Sequence, residues 1–125
     1  MKIYVDQVFN KIIYFSTAYG NARGIWRGVN RPNKREYFVE LDIDIKYNYD
    51  DFMVSKVKEY QMKIVDDKTY LTLLFLEYDE LGCATFRLGD SIIEIETNID
   101  DGFLALKNLF VIVSVEKINI YDGNI

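Results

Sequence analysis

Strict alternation of apolar and charged side chains between residues 39 and 45 limits the possible folds of this chain more than any other sequence feature. Aliphatic side chains occupy every second position there, and the positions between them hold Glu40, Asp42 and Asp44. Successive side chains of a β-strand point to opposite faces, so one face of such a strand meets a core and the other meets solvent. A period of two also dominates over helical spacing elsewhere in the sequence. We therefore predict a mainly β protein, either a β-sandwich or a curved, partly closed antiparallel barrel, with room for one or two short helices.

Turn residues divide the sequence into short strand candidates. The polar residues Asp66-Asp67-Lys68 predict one hairpin. Gly89-Asp90 predicts a second hairpin, because glycine accepts the positive φ that a type II′ turn requires at its first central position. The predicted strands cover residues 3–5, 8–15, 36–46, 57–65, 69–78, 83–88, 91–97, 109–115 and 117–121.

Two segments have the character of short helices. Asp100 or Asp101 is suited to cap one of them, with Phe103, Leu106 and Phe110 on a shared apolar face. A similar short helix is predicted around residues 51–56.

The length and composition of the chain indicate one folded unit. It has 125 residues, of which 50% are hydrophobic, and this size fits a single domain over residues 1–125. The single Cys cannot form an intrachain disulfide, and the N-terminus lacks the basic and then apolar pattern of a secretion signal. No apolar run approaches the roughly 20 residues of a membrane helix. We therefore expect a cytoplasmic protein with no membrane partner.

Histidine is absent from the sequence, which narrows the chemistry that the chain can perform. Histidine is the usual general base near neutral pH and the usual ligand of transition metals. A calcium loop of the D-x-D-x-D-G kind is also absent. We therefore expect a protein that is not an enzyme and that holds no metal or cofactor. A hydrolase that uses carboxylates alone stays open as an alternative beside the functions considered below.

Charge is distributed very unevenly along the chain, whose net charge is −5. Residues 1–35 hold seven basic and one acidic side chain, whereas residues 36–125 hold eight basic and nineteen acidic side chains. Such asymmetry favours recognition of a charged macromolecule over catalysis. Glycine, the only proline and the basic residues predict that segment 16–35 is an exposed loop outside the core. Its basic residues after Gly20 are Arg23, Arg27, Arg31, Lys34 and Arg35.

The only tryptophan of the chain lies inside this basic segment. Gly24 and Gly28 flank Trp26 at equal spacing, so that the backbone can bend or approach another surface closely on both sides of the indole. Trp26 either fills one end of the core or, together with Arg23, Arg27 and Arg31, anchors a protein partner, because tryptophan and arginine dominate binding hot spots.

Acidic side chains form the second candidate surface. Glu40, Asp42 and Asp44 share the outer face of one predicted strand, and Glu94 and Glu96 share the outer face of another. If the two strands are neighbours, their like charges repel, and a cationic partner relieves that repulsion. The alternative is a solvated face that keeps the sheet soluble. An acidic body opposes phosphates, so nucleic acid is not an expected partner.

Three stretches of the sequence together resemble bacterial immunity proteins, which neutralise polymorphic or contact-dependent growth inhibition toxins. They are residues 24–28 followed by Pro32, residues 37–44, and residues 116–122. The resemblance implies a cytoplasmic, non-catalytic inhibitor of one cognate toxin, often a cationic nuclease, whose phosphate site an acidic face can occupy. The oligomeric state is left open.

A different class of function stays open beside this one. A small β-barrel carrier of an apolar ligand fits a chain of this length with a Gly-x-Trp sequence near its first strand. In such a carrier, Trp26 closes the floor of the barrel, and Phe75 and Phe86 line a cavity instead of filling a core.

Overall fold

The computed structural model describes residues 1–123 and contains eleven β-strands and two short 3₁₀ helices, η1 and η2. The predicted mainly β fold is confirmed. None of the helices in residues 1–123 has the length and apolar character to cross a membrane. In chain order the elements are β1 (Lys2–Phe9), β2 (Ile12–Thr17), β3 (Gly20–Trp26), β4 (Glu36–Asp42), η1 (Tyr49–Asp51), β5 (Phe52–Val54), β6 (Gln61–Val65), β7 (Lys68–Tyr78), β8 (Cys83–Leu88), β9 (Ser91–Glu96), η2 (Asp101–Leu106), β10 (Phe110–Val115) and β11 (Asn119–Asp122).

Five of the strands close into a small barrel. Strand β1 pairs antiparallel with β2 and with β4, and β2 pairs antiparallel with β3. Strand β11 then lies between β3 and β4, antiparallel to β4 and parallel to β3. The barrel is therefore mixed, whereas the sequence predicted an antiparallel one, because a C-terminal strand closes it beside a strand from the N-terminal third of the chain.

The other six strands extend the sheet from one side of the barrel. Strand β6 joins β3 through the single pair Gly20 and Met62, and the order continues through β7 and β10 to β5. The far half of β7 also pairs with β8, which forms a hairpin with β9. Barrel and extension share one hydrophobic core.

The inward side chains of the alternating strands fill that core, as their period predicts. Val39 and Ile43 are buried next to exposed Glu40, Asp42 and Asp44, and β9 alternates in the same way. Each aliphatic or aromatic side chain removed from water in this way contributes about 1.5–3 kcal/mol to folding. Alternation in the sequence therefore reports directly which side chains form the core.

Both predicted hairpins are confirmed. Gly89, at the first position of the β8–β9 turn, has a φ of 60°, as the type II′ prediction requires. Asp66 and Asp67 connect β6 to β7 with φ values of 50° and 63°. Asp and Asn tolerate this left-handed region better than most residues, which explains why an Asp-Asp pair can make the turn.

Three local predictions need correction. Residues 8–15 are not one strand, because Asn10, with a φ of 55°, makes a turn that separates β1 from β2. The segment 16–35 is not an exposed loop throughout. Strand β2 reaches Thr17, and β3 is one of the five strands of the barrel, with Ala22 and Trp26 buried. Within this segment, only the β2–β3 turn at Ala18 and Tyr19 and residues 27–35 lack regular structure. The helix predicted around 51–56 is instead the 3₁₀ turn η1 followed by strand β5.

The helix predicted after residue 100 is present as η2. The Asp100 side chain accepts a hydrogen bond from the Gly102 backbone N–H at 2.8 Å, as expected for an N-cap. Phe103 and Leu106 are buried on its inner face, whereas Phe110 belongs to β10.

Barrel closure depends on a close approach of β11 to β3. The backbone N–H groups of Ile25 and Arg27 donate to the carbonyl oxygens of Ile118 and Ile120, at 2.8 Å and 2.9 Å. A Cβ atom at Gly24 would lie 2.5 Å from Ile120 Cδ1 and 2.8 Å from the Ile118 carbonyl oxygen. The closing strand pair therefore requires a residue without a side chain at position 24.

Replacing this glycine should destabilise the whole fold. We expect Gly24→Ala to lower the free energy of unfolding by about 1–3 kcal/mol, because the added methyl group overpacks the seam between β3 and β11. Urea unfolding followed by circular dichroism measures the change. Asn21→Ala, at an exposed position of the same strand, is the control and should stay within about 0.5 kcal/mol of the parent protein. Equal stability of Gly24→Ala and the parent would contradict this account of the seam.

Candidate functional site

The acidic side chains of β4 and β9 meet at one surface cleft. Asp42, from the end of β4, and Asp44, just beyond it, lie on one side, and Glu94 and Glu96 of β9 lie on the other. All four are exposed, and the cleft has a volume of about 480 Å³. We call it the acidic cleft. Its complete lining is Asp42, Ile43, Asp44, Lys46, Asp79, Leu81, Cys83, Glu94, Glu96 and Thr97.

One backbone contact brings the two acidic segments together. The Tyr47 N–H donates to the Glu96 carbonyl oxygen at 2.9 Å, and the Asn98 N–H donates to the Tyr47 carbonyl oxygen at 2.8 Å. These bonds form an isolated parallel bridge between Tyr47 and Thr97. The ladder partner of β9 is β8, and those of β4 are β1 and β11, so the acidic strands are neighbours without sharing a ladder.

The turn between β7 and β8 adds a fifth carboxylate to the acidic cleft. Asp79 Oδ1 accepts hydrogen bonds from the backbone N–H groups of Leu81 and Cys83, at 2.9 Å and 2.8 Å. Asp79 is thus a turn residue, as expected for paired acids at turns, and it also lines the cleft. These bonds hold its carboxylate in a fixed position.

Apolar side chains form a rim beside the acids, which the sequence did not predict. Leu81 lines the acidic cleft and is 83% exposed, and Ile99 is 68% exposed. Ile99 lies beside the same turn, because a Cβ atom at Gly82, the residue after Leu81, would lie 3.2 Å from Ile99 Cγ1. The one hint of this apolar rim in the sequence was Leu81, a leucine within a turn, where polar residues prevail.

Few cations compensate the carboxylates of the cleft. Lys117 pairs with Asp44 at 3.6 Å, and Lys46 is the one basic residue of the lining. In residues 1–123, Asp42, Glu94 and Glu96 have no ion-pair partner within 4.0 Å. Within the same residues, no three potential metal ligands lie close enough together to hold a metal ion.

The uncompensated charge of the cleft affects the pKa of the Cys83 thiol. Burial raises the pKa of Cys83 above its usual value, and the nearby carboxylates of Glu94, Asp79 and Glu96 raise it further. Both effects disfavour the thiolate, because negative charge is harder to add beside other negative charges. Cys83 is therefore a built-in probe of the electrostatic potential of the acidic cleft.

Glu40 lies in β4, two residues before Asp42, and outside the acidic cleft. It lines a smaller neighbouring depression with Ser91 and Ile92. The acidic stripe of β4 therefore continues past the cleft towards the start of β9.

The basic residues predicted to join the same partner surface lie elsewhere. Arg27, Arg31 and Lys34 line a second pocket of about 480 Å³, which we call the basic pocket. Trp26 belongs to its lining but is only 4% exposed, which agrees with the core alternative for this residue. Arg23 lines neither site, because its guanidinium reaches the Asp67 carbonyl oxygen at 3.4 Å.

The basic pocket and the acidic cleft share no lining residue, but they lie close to each other. Tyr121 and Asp122, which line the basic pocket, pair with Glu40 and Val39 of β4. Asn119, which accepts the hydrogen bond of Arg27, pairs with Asp42 of the acidic cleft. The predicted partner residues therefore fall into a basic and an acidic group on adjacent parts of the barrel, and Arg23 and Glu40 lie outside both pockets.

Comparisons with protein-family models, with curated protein sequences and with solved structures find no match to this chain. We therefore infer function from the geometry and charge of residues 1–123.

The raised pKa of Cys83 gives a direct test of the acidic cleft. We expect alkylation of the native thiol by iodoacetamide to require a higher pH than that of an ordinary cysteine. Glu94→Gln should move the midpoint of the rate to lower pH, because removing a negative charge stabilises the thiolate. Glu59→Gln, at an exposed position outside the cleft, should leave the midpoint unchanged. Identical midpoints for Glu94→Gln and the parent would show that the carboxylates do not act on the thiol.

Proposed function

We propose that this protein is a non-catalytic inhibitor that binds a cognate bacterial toxin through the acidic cleft. The observation that carries the proposal is the gathering of Asp42, Asp44, Glu94 and Glu96 at one cleft, from segments about fifty residues apart in the chain. Most of these carboxylates lack an ion-pair partner in the described part of the chain. A basic protein surface supplies the missing positive charge.

Charge complementarity of this kind acts first on the rate of association. Clustered carboxylates attract a basic surface from a distance and orient it before contact. Leu81 and Ile99 then supply the apolar contact area that a protein interface needs at its centre. Acids flanking exposed apolar side chains therefore favour a protein partner over a small ligand.

The chemistry of the cleft argues against two other partners. Phosphate groups of a nucleic acid are repelled by five carboxylates. A divalent metal ion needs several oxygen ligands converging on one point, and residues 1–123 provide no such cluster. A cationic protein surface can instead pair with carboxylates that are spread along a cleft.

The resemblance to immunity proteins supports a toxin as that protein. A cationic nuclease presents a basic site for the phosphates of its substrate, and an acidic inhibitor can occupy that site. Holding the carboxylates on and beside the strands β4 and β9 suits this role, because a pre-formed charged face loses little entropy on binding. On this proposal the protein acts in the cytoplasm, where the toxin would reach its target.

The carrier alternative finds no support in the packing of the proposed cavity residues. Phe75 and Phe86 are 1% and 0% exposed and contact each other with ring centroids 5.0 Å apart. These two rings fill the core instead of lining a ligand cavity.

The partner itself is tested through the neighbouring gene. Co-expression with the product of the gene immediately upstream should relieve its toxicity in bacteria, and the two proteins should purify together. The proposal is to be abandoned if that product is not toxic or if the purified proteins do not associate.

Charge reversal in the acidic cleft should slow association with this toxin. We expect Asp42→Lys combined with Asp44→Lys to lower the association rate constant about tenfold or more at low salt, with a smaller effect on dissociation. The difference from the parent should shrink as salt increases, because screening weakens the attraction. Stopped-flow or surface plasmon resonance measurements give both rate constants.

A matched control separates local from overall charge. Asp50→Lys with Glu59→Lys changes the net charge equally at two exposed positions outside the cleft, and it should change the association rate much less. An equal effect of the two double variants, or an effect independent of salt, would count against the acidic cleft as the docking surface.

A further inference from the structure

The irregular segment 27–35 is held in place by two buried aromatic side chains. Trp26 and Tyr37 contact each other with ring centroids 4.8 Å apart and an interplanar angle of 62°. The Trp26 indole N–H donates to the Asn30 carbonyl oxygen at 2.8 Å. The Tyr37 hydroxyl oxygen accepts from the backbone N–H groups of Asn33 and Lys34, at 2.8 Å and 3.0 Å. The segment is therefore anchored at two points, although it has no regular secondary structure.

One arginine of the basic pocket is also fixed by a buried partner. Arg27 Nε donates to Asn119 Oδ1 at 2.8 Å, and Asn119 is 1% exposed. This bond uses one of the five N–H donors of the guanidinium group. Arg27 therefore loses little side-chain entropy when it binds a ligand, because the bond to Asn119 already fixes its orientation.

The lining of the pocket has a clear chemical character. Arg27, Arg31 and Lys34 contribute three positive charges and Asp122 contributes one negative charge, so the site is positive in a protein of net charge −5. Tyr121, which is 43% exposed, adds an accessible aromatic ring. Arginine and lysine together with an aromatic wall are suited to a phosphate group attached to a planar ring.

The size and position of the pocket decide between a small ligand and a macromolecule. Its volume of about 480 Å³ falls within the range of about 300–1,000 Å³ that is typical of small-molecule sites. A long polyanion leaving the pocket would pass Glu40 and the acidic cleft, whereas a small ligand can stay within the positive lining. The volume of the pocket and the acidic surface around it therefore favour a small anion as the ligand.

We propose that the basic pocket binds a small phosphorylated ligand of nucleoside monophosphate size. Arg27 and Arg31 would bind the phosphate oxygens through paired N–H donors, and Lys34 would add a point charge. Tyr121 would contact the ring of the ligand. Because the pocket and the acidic cleft share no lining residue, this binding does not require that the acidic cleft recognises a toxin.

The test uses the single tryptophan as a reporter on the pocket floor. Adenosine 5′-monophosphate, inorganic phosphate and adenosine are titrated into the full-length protein, and the indole N–H signal of Trp26 is followed by NMR. We expect saturable shifts with adenosine 5′-monophosphate, weaker saturable shifts with phosphate, and none with adenosine. The absence of saturation with both phosphate compounds, or equal binding of adenosine, would overturn the proposal.

Neutralising variants show whether the charges of the pocket are responsible. Lys34→Gln should weaken binding of adenosine 5′-monophosphate about tenfold without disturbing any packed side chain. Arg27→Gln should weaken it at least as much, with unfolding measured in parallel because the bond to Asn119 is lost. Arg35→Gln, an exposed neighbour outside the pocket, is the matched control and should bind as the parent does. Equal weakening by Lys34→Gln and Arg35→Gln would refute a specific site.

Discussion

The parallel pairing of β11 with β3 is the constraint on which the rest of the structure depends. It closes the barrel, and it requires Gly24, because a side chain there would strike the backbone of the closing strand. The same closure places Asn119 beneath Arg27 and Tyr121 beside the basic pocket. The closing strand also pairs with β4, which places Asn119 beside Asp42 and Tyr121 beside Glu40.

Net charge therefore describes this molecule poorly. A value of −5 conceals a positive pocket and a negative cleft that share no lining residue. The sequence already contained this polarity as a basic N-terminal third followed by an acidic remainder. What the fold adds is the position of each charge, because β9 joins Glu94 and Glu96 to Asp42 and Asp44 across one cleft.

Much of the fold was predictable because the period of two is strong wherever large aliphatic residues alternate with acids, as in β4 and β9. Strand β3 was missed because its inward residues include Ala22 and Gly24, which carry little hydrophobic signal, whereas Arg23 resembles a loop residue. The same period placed the acids on the outward faces of the strands, and all of them are exposed. Their meeting depends on the bridge between Tyr47 and Thr97, a contact across fifty residues that no local pattern encodes.

The central claim is that the acidic cleft is the surface that docks on a basic protein partner. Amide hydrogen exchange, compared between the free protein and its complex with the toxin from the neighbouring gene, tests this claim most directly. We expect new protection at the end of β4, in the turn at Asp79–Cys83 and along β9. Protection confined to the exposed edge strand β5, with the cleft unchanged, would contradict it.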